Sequence, residues 1–348
     1  MSRLAVVLFN LGGPDRPEAV EPFLFNLFND PAIIALPWPL RPLLARLISR
    51  RRAPTARAIY DRLGGGSPIL PLTRQQAAAL AARLASEAPG DDIQTFVTMR
   101  YWHPMSDATA QAVKEFRPDA IVLLPLYPQY STTTTASSLR DWELAARNAG
   151  LADVPTRAVC CYPTQAALIQ AQVALIAPAL DEAAKSGLPR LLFSAHGLPK
   201  KVIARGDPYA WQVEQTAGSI AVALAMPGLD WAVCYQSRVG PLEWIGPSTE
   251  SELRRAAADR VPVVVVPVAF VSEHSETLVE LDIEYRELAE KLGIPAYIRV
   301  PALGIAEGFI AALAALVAQC RQATTSPQAD GGKRLCPAAH VRCAMSGH

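Results

Sequence analysis

The chain has 348 residues, which is above the size of one typical domain and close to that of two. Its 33 basic and 32 acidic residues leave a formal net charge of +1, so we expect no nucleic-acid partner. Apolar residues at 51% and charged residues at 19% exclude a disordered chain and permit a large buried core.

The N-terminal segment is apolar but carries no processing signal. Residues 4–11 follow Arg3 and lead into Gly12 and Gly13 without a small-residue cleavage site, so we predict a buried strand and not a signal peptide. The longest apolar run, residues 261–271, contains two prolines and is shorter than the roughly 20 residues that a membrane-spanning helix needs. We therefore expect a cytoplasmic protein whose six cysteines are reduced thiols or metal ligands.

Short apolar runs alternate with longer Ala- and Leu-rich segments of helical periodicity along the chain. Several short runs are continuously hydrophobic, which is typical of strands that are covered on both faces, as in a parallel sheet. The predicted strands comprise residues 4–10, 93–100, 120–126, 156–161, 190–195, 231–236, 261–268 and 296–300. The main predicted helices between them comprise residues 73–88, 164–185, 209–225 and 276–292.

This alternation predicts an α/β fold built from right-handed βαβ units. The strands form two sets, so we predict two similar domains, each with a four-stranded parallel sheet flanked by helices, and an active-site cleft between them. The predicted domains are residues 1–165 and 166–303. A C-terminal helix over 304–322 is predicted to pack back on the first domain, followed by a linker and cysteine-containing tail over 323–348.

Polar residues follow several predicted strands, at the edge where open α/β sheets bind ligands. Three of the five histidines lie in such positions, and His196 is followed by Gly197, which lets a backbone or ligand approach closely. A neutral imidazole at this place can act as a general base or a metal ligand. It can equally be a structural histidine bonded to a backbone carbonyl.

A row of acidic residues begins directly after the seventh predicted strand. Glu276, Glu280 and Glu284 are four residues apart, so they share one face of the predicted helix, and His274 precedes them. A solvated helix face has the same spacing. The position at the predicted cleft, together with the histidine, favours N and O ligands for a divalent metal or a path for protons.

Two further segments allow more than one interpretation. The turn over residues 64–68 is glycine-rich and precedes a helix, as in phosphate-binding loops, but it lacks the pattern of a nucleotide site. Residues 31–52, from Pro31 to Arg52, combine Leu, Ile and Trp with a basic end. Such a segment suits an anionic membrane surface, an ordinary buried helix with a basic cap, or an apolar lip for a flat ligand.

Two pairs of cysteines are close in sequence, and soft thiolates can bind zinc or an iron–sulfur cluster. Cys160 and Cys161 end the fourth predicted strand. Cys336 and Cys343 lie in the tail with a C-x6-C spacing that fits no common zinc pattern. The other two cysteines are predicted to be small buried hydrophobic residues.

A series of sequence motifs resembles, in the same order, those of ferrochelatases, the enzymes that insert ferrous iron into protoporphyrin IX in the last step of haem synthesis. The motifs are LFNLGGP (8–14), YDRLGGGSPI (60–69), MRYWHP (99–104), LYPQYSTTTTASS (126–138), FSAHGLP (193–199), RGDPY (205–209), YQSRVGPLEWIGP (235–247) and FVSEHSETLVELDIEY (270–285). The resemblance covers about residues 6–316 and implies two Rossmann-like domains with the porphyrin in the cleft between them. It implies Fe²⁺ as a substrate and no organic cofactor.

The resemblance also implies roles for individual residues. His196 corresponds to the active-site histidine that takes pyrrole protons or binds iron, and Glu276 to the carboxylate opposite it. With these two, His274 and Glu280 of the acidic helix form the implied metal-binding set and a metal or proton path. The implied porphyrin-binding residues are Leu11, Tyr60, Ser67, Arg100, Tyr101, Tyr130 and Trp244. Residues 31–52 correspond to an apolar lip, which here implies peripheral contact with the inner face of the cell membrane.

Some ferrochelatases bind a 2Fe-2S cluster through one internal cysteine and three cysteines near the C-terminus. Cys160 or Cys161 corresponds to the internal ligand, and Cys336 and Cys343 to two of the others. His340 or the second cysteine of the internal pair is a candidate for the fourth ligand. The alternative is a tail whose thiols bind nothing.

Other functions are compatible with part of this pattern. The same chemistry on coproporphyrin III is the nearest alternative, and a cobalt or nickel chelatase for another tetrapyrrole is a more distant one. A haem- or iron–sulfur-binding sensor without catalysis is the alternative of a different class, and the presence of both His196 and Glu276 argues against it. A monomer and a homodimer are both compatible with the sequence.

Overall fold

A computed structural model describes residues 2–238, 240 and 242–346. The chain forms two compact units, residues 2–161 with 313–334 and residues 162–312 with 335–346. Each unit contains a parallel β-sheet and helices, so the α/β prediction is confirmed. The predicted linker and tail are divided between the two units.

The strands lie close to the predicted positions. In chain order they are β1 (Arg3–Asn10), β2 (Asp92–Met99), β3 (Ala120–Pro125), β4 (Thr156–Cys161), β5 (Arg190–His196), β6 (Asp230–Gln236), β7 (Val263–Pro267), β8 (Tyr297–Arg299) and β9 (Gln328–Ala329). The α-helices are α1 (Val20–Phe28), α2 (Leu40–Asp61), α3 (Ile69–Glu87), α4 (Ser106–Phe116), α5 (Thr135–Ala149), α6 (Ala166–Ala184), α7 (Lys200–Ala204), α8 (Tyr209–Ala223), α9 (Thr249–Asp259), α10 (Tyr285–Lys291) and α11 (Glu307–Gln322). A π-helix over Glu276–Glu284 precedes α10.

The sheet of the first unit has five parallel strands in the order β2-β1-β3-β4-β9, where four were predicted. Its inner strand β1 is buried from Leu4 to Asn10, as expected for a strand with helices on both faces. The additional strand β9 lies in the predicted linker, and its two buried residues pair with Val159 and Cys161. The linker prediction is therefore wrong for this segment.

The sheet of the second unit has four parallel strands in the order β6-β5-β7-β8, as predicted. β5 is an inner strand, and Phe193 at its centre pairs with Val233 of β6 and Val266 of β7. The carboxyl ends of β5 and β6 are in register, so His196 lies opposite Gln236. The edge at which ligands bind to such sheets is therefore formed in part by these two residues.

Helix α6 is long and apolar enough to cross a membrane by length and composition, which the search for apolar runs did not detect. The core helix of a globular unit passes the same test. Leu168 and Leu180 of α6 are buried, and Ile176 packs in the main apolar cluster of the second unit.

The C-terminal tail packs on the second unit around Gly206. The backbone N–H of Arg342 donates to the Gly206 carbonyl at 3.1 Å, and the rings of His340 and Trp211 lie 5.8 Å apart. The side-chain amide of Gln212 donates to Sγ of Cys336 at 3.1 Å. Residues 335–346 are thus part of this unit.

Residues 31–52 form an irregular segment followed by the first half of α2. One face of α2 is buried through Ala45, Ser49 and Ala53. The other face and the preceding segment expose large apolar side chains, which belong to Ile33, Leu36, Trp38, Leu40, Leu43 and Leu47. The interpretation as an ordinary buried helix is therefore wrong for this face.

Candidate active site

The carboxyl end of β5 presents His196 in the second unit. Gly197 follows it, and a Cβ atom there would lie 3.0 Å from the Gln236 carbonyl oxygen and 3.4 Å from Cε3 of Trp244. A side chain at this position would therefore make these neighbours shift by a few tenths of an ångström, so glycine is the residue that fits without adjustment. Trp244 also forms an antiparallel bridge with Pro199, so its ring lies beside the backbone that follows His196.

His196 and Glu276 form the central polar contact of this unit. Nδ1 of His196 lies 2.9 Å from Oε2 of Glu276. The two side chains are 37% and 25% exposed, so the pair is accessible from one side. The hydroxyl of Tyr209 donates to the His196 carbonyl at 3.1 Å and fixes the backbone below the ring. A carboxylate on Nδ1 sets the imidazole orientation and leaves Nε2 as the basic nitrogen.

The contact changes the pKa of both groups. Burial lowers the pKa of His196, but the charge and hydrogen bond of Glu276 outweigh burial and, with the charge of Glu280, raise it above the ordinary 6.5. Burial raises the pKa of Glu276, but the charges and hydrogen bonds of His196 and His274 hold it well below its usual range. The ion pair is therefore favoured between these two pKa values, and His196 becomes neutral as the pH rises through its own pKa.

Glu280 is held by donors from β6 and α10. Ser237 donates from its backbone N–H at 2.7 Å and also from its hydroxyl. The Gln236 amide donates at 3.2 Å and the Tyr285 hydroxyl at 3.0 Å. Burial and the charge of Glu276 nevertheless raise the pKa of Glu280. Ser237 has a left-handed backbone with φ 60°, and its two bonds to Glu280 offset part of that strain.

His274 lies near the same Glu276 oxygen that contacts His196. Its Nε2 is 3.7 Å from Oε2 of Glu276, and its ring is 4.6 Å from the ring of Phe270. In the described part of the chain, its buried Nδ1 has no hydrogen-bond partner. N and O donors thus stand in a row, but no group of three or more His, Cys, Asp or Glu among the described residues converges on one metal position.

The acidic residues lie on a π-helix and not on the predicted α-helix. Its i→i+5 hydrogen bonds make a wider turn than those of an α-helix. Glu276 and Glu280 contact His196 and Ser237, whereas Glu284 is exposed. Glu284 thus stays outside the contacts that join Glu276 and Glu280 to the ends of β5 and β6.

In the first unit, Leu11, Tyr60 and Tyr101 pack into one apolar cluster. The backbone N–H of Tyr101 donates to the Leu11 carbonyl at 3.0 Å. Tyr60 and Tyr101 are buried, and Leu11 is half-buried. Of the remaining predicted contacts in this unit, Tyr130 is buried and Ser67 is half-buried. The fold thus brings Leu11, Tyr60 and Tyr101 together.

A buried carboxylate holds Arg100 and Tyr101 in place. Oδ2 of Asp30 accepts from the Tyr101 hydroxyl at 2.8 Å and from Nη2 of Arg100 at 3.0 Å, and the Ser137 hydroxyl also donates to it. The Asp30 side chain is 1% exposed and that of Arg100 is 15% exposed. The charge of Arg100 is therefore already balanced within the first unit.

The glycine-rich turn packs closely on the loop that follows β1. A Cβ on Gly13 would lie 2.6 Å from Cβ of Ser67, and one on Gly66 would lie 2.7 Å from the Asp15 carbonyl oxygen. The Ser67 N–H donates to the Pro14 carbonyl at 2.7 Å. These glycines serve the close approach of two segments, so the phosphate-binding interpretation has no support from this geometry.

Known proteins resemble this chain over almost its whole length. The profile of the ferrochelatase family matches residues 3–320. The chain belongs to the ferrochelatase family. A ferrochelatase of Phenylobacterium zucineum is 56% identical over 98% of both chains, and one of Pelagibacter ubique is 48% identical over 97% of both. Ferrochelatase activity is the final step of haem biosynthesis, and its substrates are a porphyrin and ferrous iron.

Solved structures add evidence on the fold alone. The sirohydrochlorin chelatase SirB of Bacillus subtilis subspecies spizizenii in complex with cobalt has a TM-score of 0.51 and 12% identity, covering 92% of this chain and 95% of its own. A multi-domain protein of Deinococcus radiodurans with structural similarity to chelatases has a TM-score of 0.51 and 13% identity, over 92% of this chain and 55% of its own. The ferrochelatase chain thus shares a two-domain chelatase fold.

The six cysteines of this ferrochelatase chain are buried thiols. The Sγ atoms of Cys160 and Cys161 lie 3.0 Å apart at the end of β4. Burial raises the pKa of Cys234 and of Cys320 to about 12, so neither is a reactive thiolate at neutral pH. The prediction that these two are small buried hydrophobic residues is confirmed.

Several residues that shape the site were not predicted. Gln236 and Ser237, at the carboxyl end of β6, hold Glu280. The rule that strand ends carry ligands could have selected both. No sequence pattern identified Asp30 as a site residue, because its partner Arg100 is 70 positions away in sequence.

Proposed function

We propose that this chain inserts Fe²⁺ into protoporphyrin IX to form protohaem, with His196 as the proton acceptor and Glu276 as the carboxylate that orients it. The observation that carries the proposal is the 2.9 Å contact between Nδ1 of His196 and Oε2 of Glu276 at the carboxyl end of β5. A neutral His196 that donates its Nδ1 proton to Glu276 presents the Nε2 lone pair to the substrate.

The reaction must remove two pyrrole protons for each Fe²⁺ that enters the ring, so charge is conserved. His196 takes a proton at Nε2, and the Glu276 carboxylate stabilises the imidazolium because its own pKa is held low. The partial exposure of His196 lets the proton pass to water before the second is taken. The same imidazole can therefore serve both deprotonations in turn.

Fe²⁺ approaches as a substrate along the row of donors on the π-helix side. The carboxylates of Glu276 and Glu280 and the imidazole of His274 offer the O and N ligands that ferrous iron accepts. A substrate metal must leave its donors, and a row of single donors holds it less tightly than a closed site of four ligands. The arrangement in a row is in keeping with iron that passes through.

The proposed porphyrin contacts are Leu11, Tyr60, Ser67, Arg100, Tyr101, Tyr130 and Trp244. Arg51 and Arg52 are exposed, and they supply the positive charge for the propionates because Arg100 is already paired with Asp30. An apolar clamp on the ring favours a bent porphyrin whose nitrogen lone pairs point out of plane.

The substitution His196→Ala tests this assignment. We expect kcat for insertion of Fe²⁺ to fall about 10²- to 10⁴-fold, as for the loss of a general base, while the porphyrin Kd changes less than about two-fold. The measurement is anaerobic absorbance of the metalloporphyrin, with fluorescence and Zn²⁺ as a second metal. His103→Ala, which removes an exposed histidine, is the matched control and should keep wild-type turnover.

Near-wild-type turnover in His196→Ala would remove His196 from the mechanism. The same assay with coproporphyrin III identifies the porphyrin. Preferred turnover of coproporphyrin III would replace the substrate assigned here, and the absence of any metalloporphyrin in the wild type would favour the non-catalytic sensor.

We further propose that the thiols of Cys336, Cys343 and Cys160 or Cys161 bind a 2Fe-2S cluster, with His340 or the remaining internal thiol as the fourth ligand. All four thiols are buried, and this burial is the support for the proposal. Among the described residues, no three of the candidate ligands converge on one metal position. When bound, such a cluster supplies one-electron redox chemistry, and no step of the insertion described above passes through it.

We also propose that the chain works in the cytoplasm and touches the inner face of the membrane peripherally through residues 31–52. Trp38 is 78% exposed, and the apolar face of α2 continues from it. Exposed basic residues at positions 50–52 follow on the same helix. An apolar face with a Trp and a basic end is typical of a helix that lies on an anionic lipid surface.

A further inference from the structure

The π-helix that carries Glu276 and Glu280 needs support from its surroundings. π-Turns are rare, and most occur as single turns at functional sites, whereas this one extends over nine residues. An α-helix over the same residues would have normal i→i+4 bonds and would turn Glu280 away from its present direction. Contacts outside the helix must therefore favour the π form.

One arginine of β8 contacts both ends of this segment. Arg299 donates from Nη1 to Glu273, just before the helix, at 2.5 Å. It donates from Nε to Oδ1 of Asp282, inside the helix, at 2.9 Å, and from Nη2 to the other carboxylate oxygen. Glu273 also accepts from the Ala302 N–H at 2.9 Å. The Arg299 side chain is only 8% exposed, so both ion pairs are largely desolvated. The pair with Asp282 is bidentate, which fixes its geometry, and the pair with Glu273 uses one oxygen.

A second contact from β8 lies beside the first. The Tyr297 hydroxyl donates to the Leu281 carbonyl at 2.7 Å, and Leu281 itself is buried in the core. Both β8 residues thus contact the second half of the π-helix. Neighbouring residues on a helix point in different directions. When Leu281 and Asp282 are bonded to β8, the side chain of Glu280 therefore points away from β8.

The opposite side of the helix contacts the far edge of the same sheet. β8 and β6 are the two outer strands, and Glu280 bonds to Gln236 and Ser237 at the end of β6. The helix therefore crosses the carboxyl ends of the strands, fixed at one edge by Arg299 and bonded at the other through Glu280. A change of winding would break one of these two attachments.

We propose that Arg299 is a positioning residue for iron insertion. By holding Glu273 and Asp282 at a fixed separation, it keeps the intervening segment wound as a π-helix and so places Glu276 against His196 and Glu280 under Ser237. The consequence for turnover rests on the function proposed above, whereas the consequence for the helix does not.

The test compares Arg299→Met with Arg190→Met. Arg190 is a matched control, because it is similarly buried and pairs with two carboxylates, Asp230 and Asp259, but it lies at the amino end of β5. Hydrogen exchange of residues 276–284 is measured in the free proteins, and kcat and KM are measured for Fe²⁺ and porphyrin. Asp282→Asn removes the charge of one of the two carboxylates that pair with Arg299. It replaces Arg299→Met as the test variant if Arg299→Met does not fold.

We expect Arg299→Met to accelerate exchange over 276–284 about ten-fold or more, because the segment loses its outer attachment. We expect kcat to fall about ten-fold or more with KM within about two-fold, since small misplacement of catalytic groups is costly in rate. Arg190→Met should lower the Tm by a comparable amount but change neither the hydrogen exchange of residues 276–284 nor kcat. Asp282→Asn should show the same pattern as Arg299→Met at smaller size.

Equal exchange over 276–284 in the two methionine variants would overturn the proposal and leave Arg299 as an ordinary stabilising residue. A rise in porphyrin KM at unchanged kcat would also overturn it. If the wild type inserts no iron but exchange over 276–284 is faster in Arg299→Met, the role of Arg299 in holding the π-helix is supported. The function proposed above is then rejected.

Discussion

At the scale of single residues, Glu276 controls the charge of His196. Burial lowers the pKa of the His196 imidazole, whereas the charge and hydrogen bond of the Glu276 carboxylate raise it. The effect of the carboxylate is the larger, so the pKa is raised. His196 therefore stabilises the fold at low pH, and this contribution is lost as the pH rises through its raised pKa. The lowered pKa of Glu276 gives stability at high pH that is lost as the pH falls through that pKa.

These two dependences set a relation between stability and activity. The ion pair is strongest where His196 is protonated, but a protonated imidazole cannot accept a pyrrole proton. We therefore expect the insertion rate to rise with pH through the His196 pKa, in the range where the stabilising pair weakens.

The substitution Glu276→Gln tests the origin of the His196 pKa. We expect the pKa of His196 to fall below that of the wild type, because the attracting charge is lost and burial remains. The measurement is an NMR titration of the imidazole ¹H and ¹⁵N signals. Glu287→Gln, on the exposed face of α10, is the control and should leave the titration unchanged. An unchanged or higher pKa in Glu276→Gln would contradict the account.

Sequence reasoning found the residues that follow strands, because the carboxyl edge of a parallel sheet is a general place for ligands. His196 and Glu276 were selected in this way, although their roles stay predictions. Asp30 could not be found, because its contact with Arg100 depends on tertiary packing alone. Glu284 has the same spacing but is exposed, because spacing alone does not separate a site residue from one on a solvated helix face.

At the scale of elements, continuous apolar runs predicted the strands to within a few residues, because strands covered on both faces must be apolar throughout. β9 was missed because two residues are too short for any pattern. The π-helix was missed because its winding depends on Arg299 and Tyr297, which lie in another element.

The exposed segment 31–52 gives a prediction at this scale. The double substitution Trp38→Glu and Leu43→Glu should weaken binding to vesicles that contain anionic lipid about ten-fold or more, because it removes apolar contact and adds repelled charge. Vesicle flotation measures the bound fraction. Leu188→Glu, at an apolar residue that is 88% exposed in the second unit, is the control and should bind as the wild type does. Equal binding of all three proteins would reject the proposed membrane contact.

At the scale of the whole molecule, alternation of strands and helices predicted the fold class, because βαβ connections allow few topologies. The path of the last residues could not be predicted in the same way. Residues 323–334 complete the first unit and 335–346 pack on the second, and neither segment has a periodic pattern.

The cysteines give a prediction that concerns the purified chain as a whole. Protein purified without oxygen should be coloured, with visible absorbance from a 2Fe-2S cluster, and Cys336→Ser should lose most of that absorbance. Cys320→Ser, which changes a buried thiol outside the proposed ligand set, is the control and should keep it. A colourless wild type would reject the cluster.

The most direct test of the account is the stoichiometry of the reaction. Purified protein is mixed anaerobically with protoporphyrin IX and Fe²⁺ in weak buffer, and haem absorbance and proton release are recorded together. The account predicts saturable haem formation in proportion to enzyme, with about two protons released for each haem, because both pyrrole nitrogens lose a proton through His196. Haem formation no faster than in buffer, or proton release unrelated to haem formed, would contradict it.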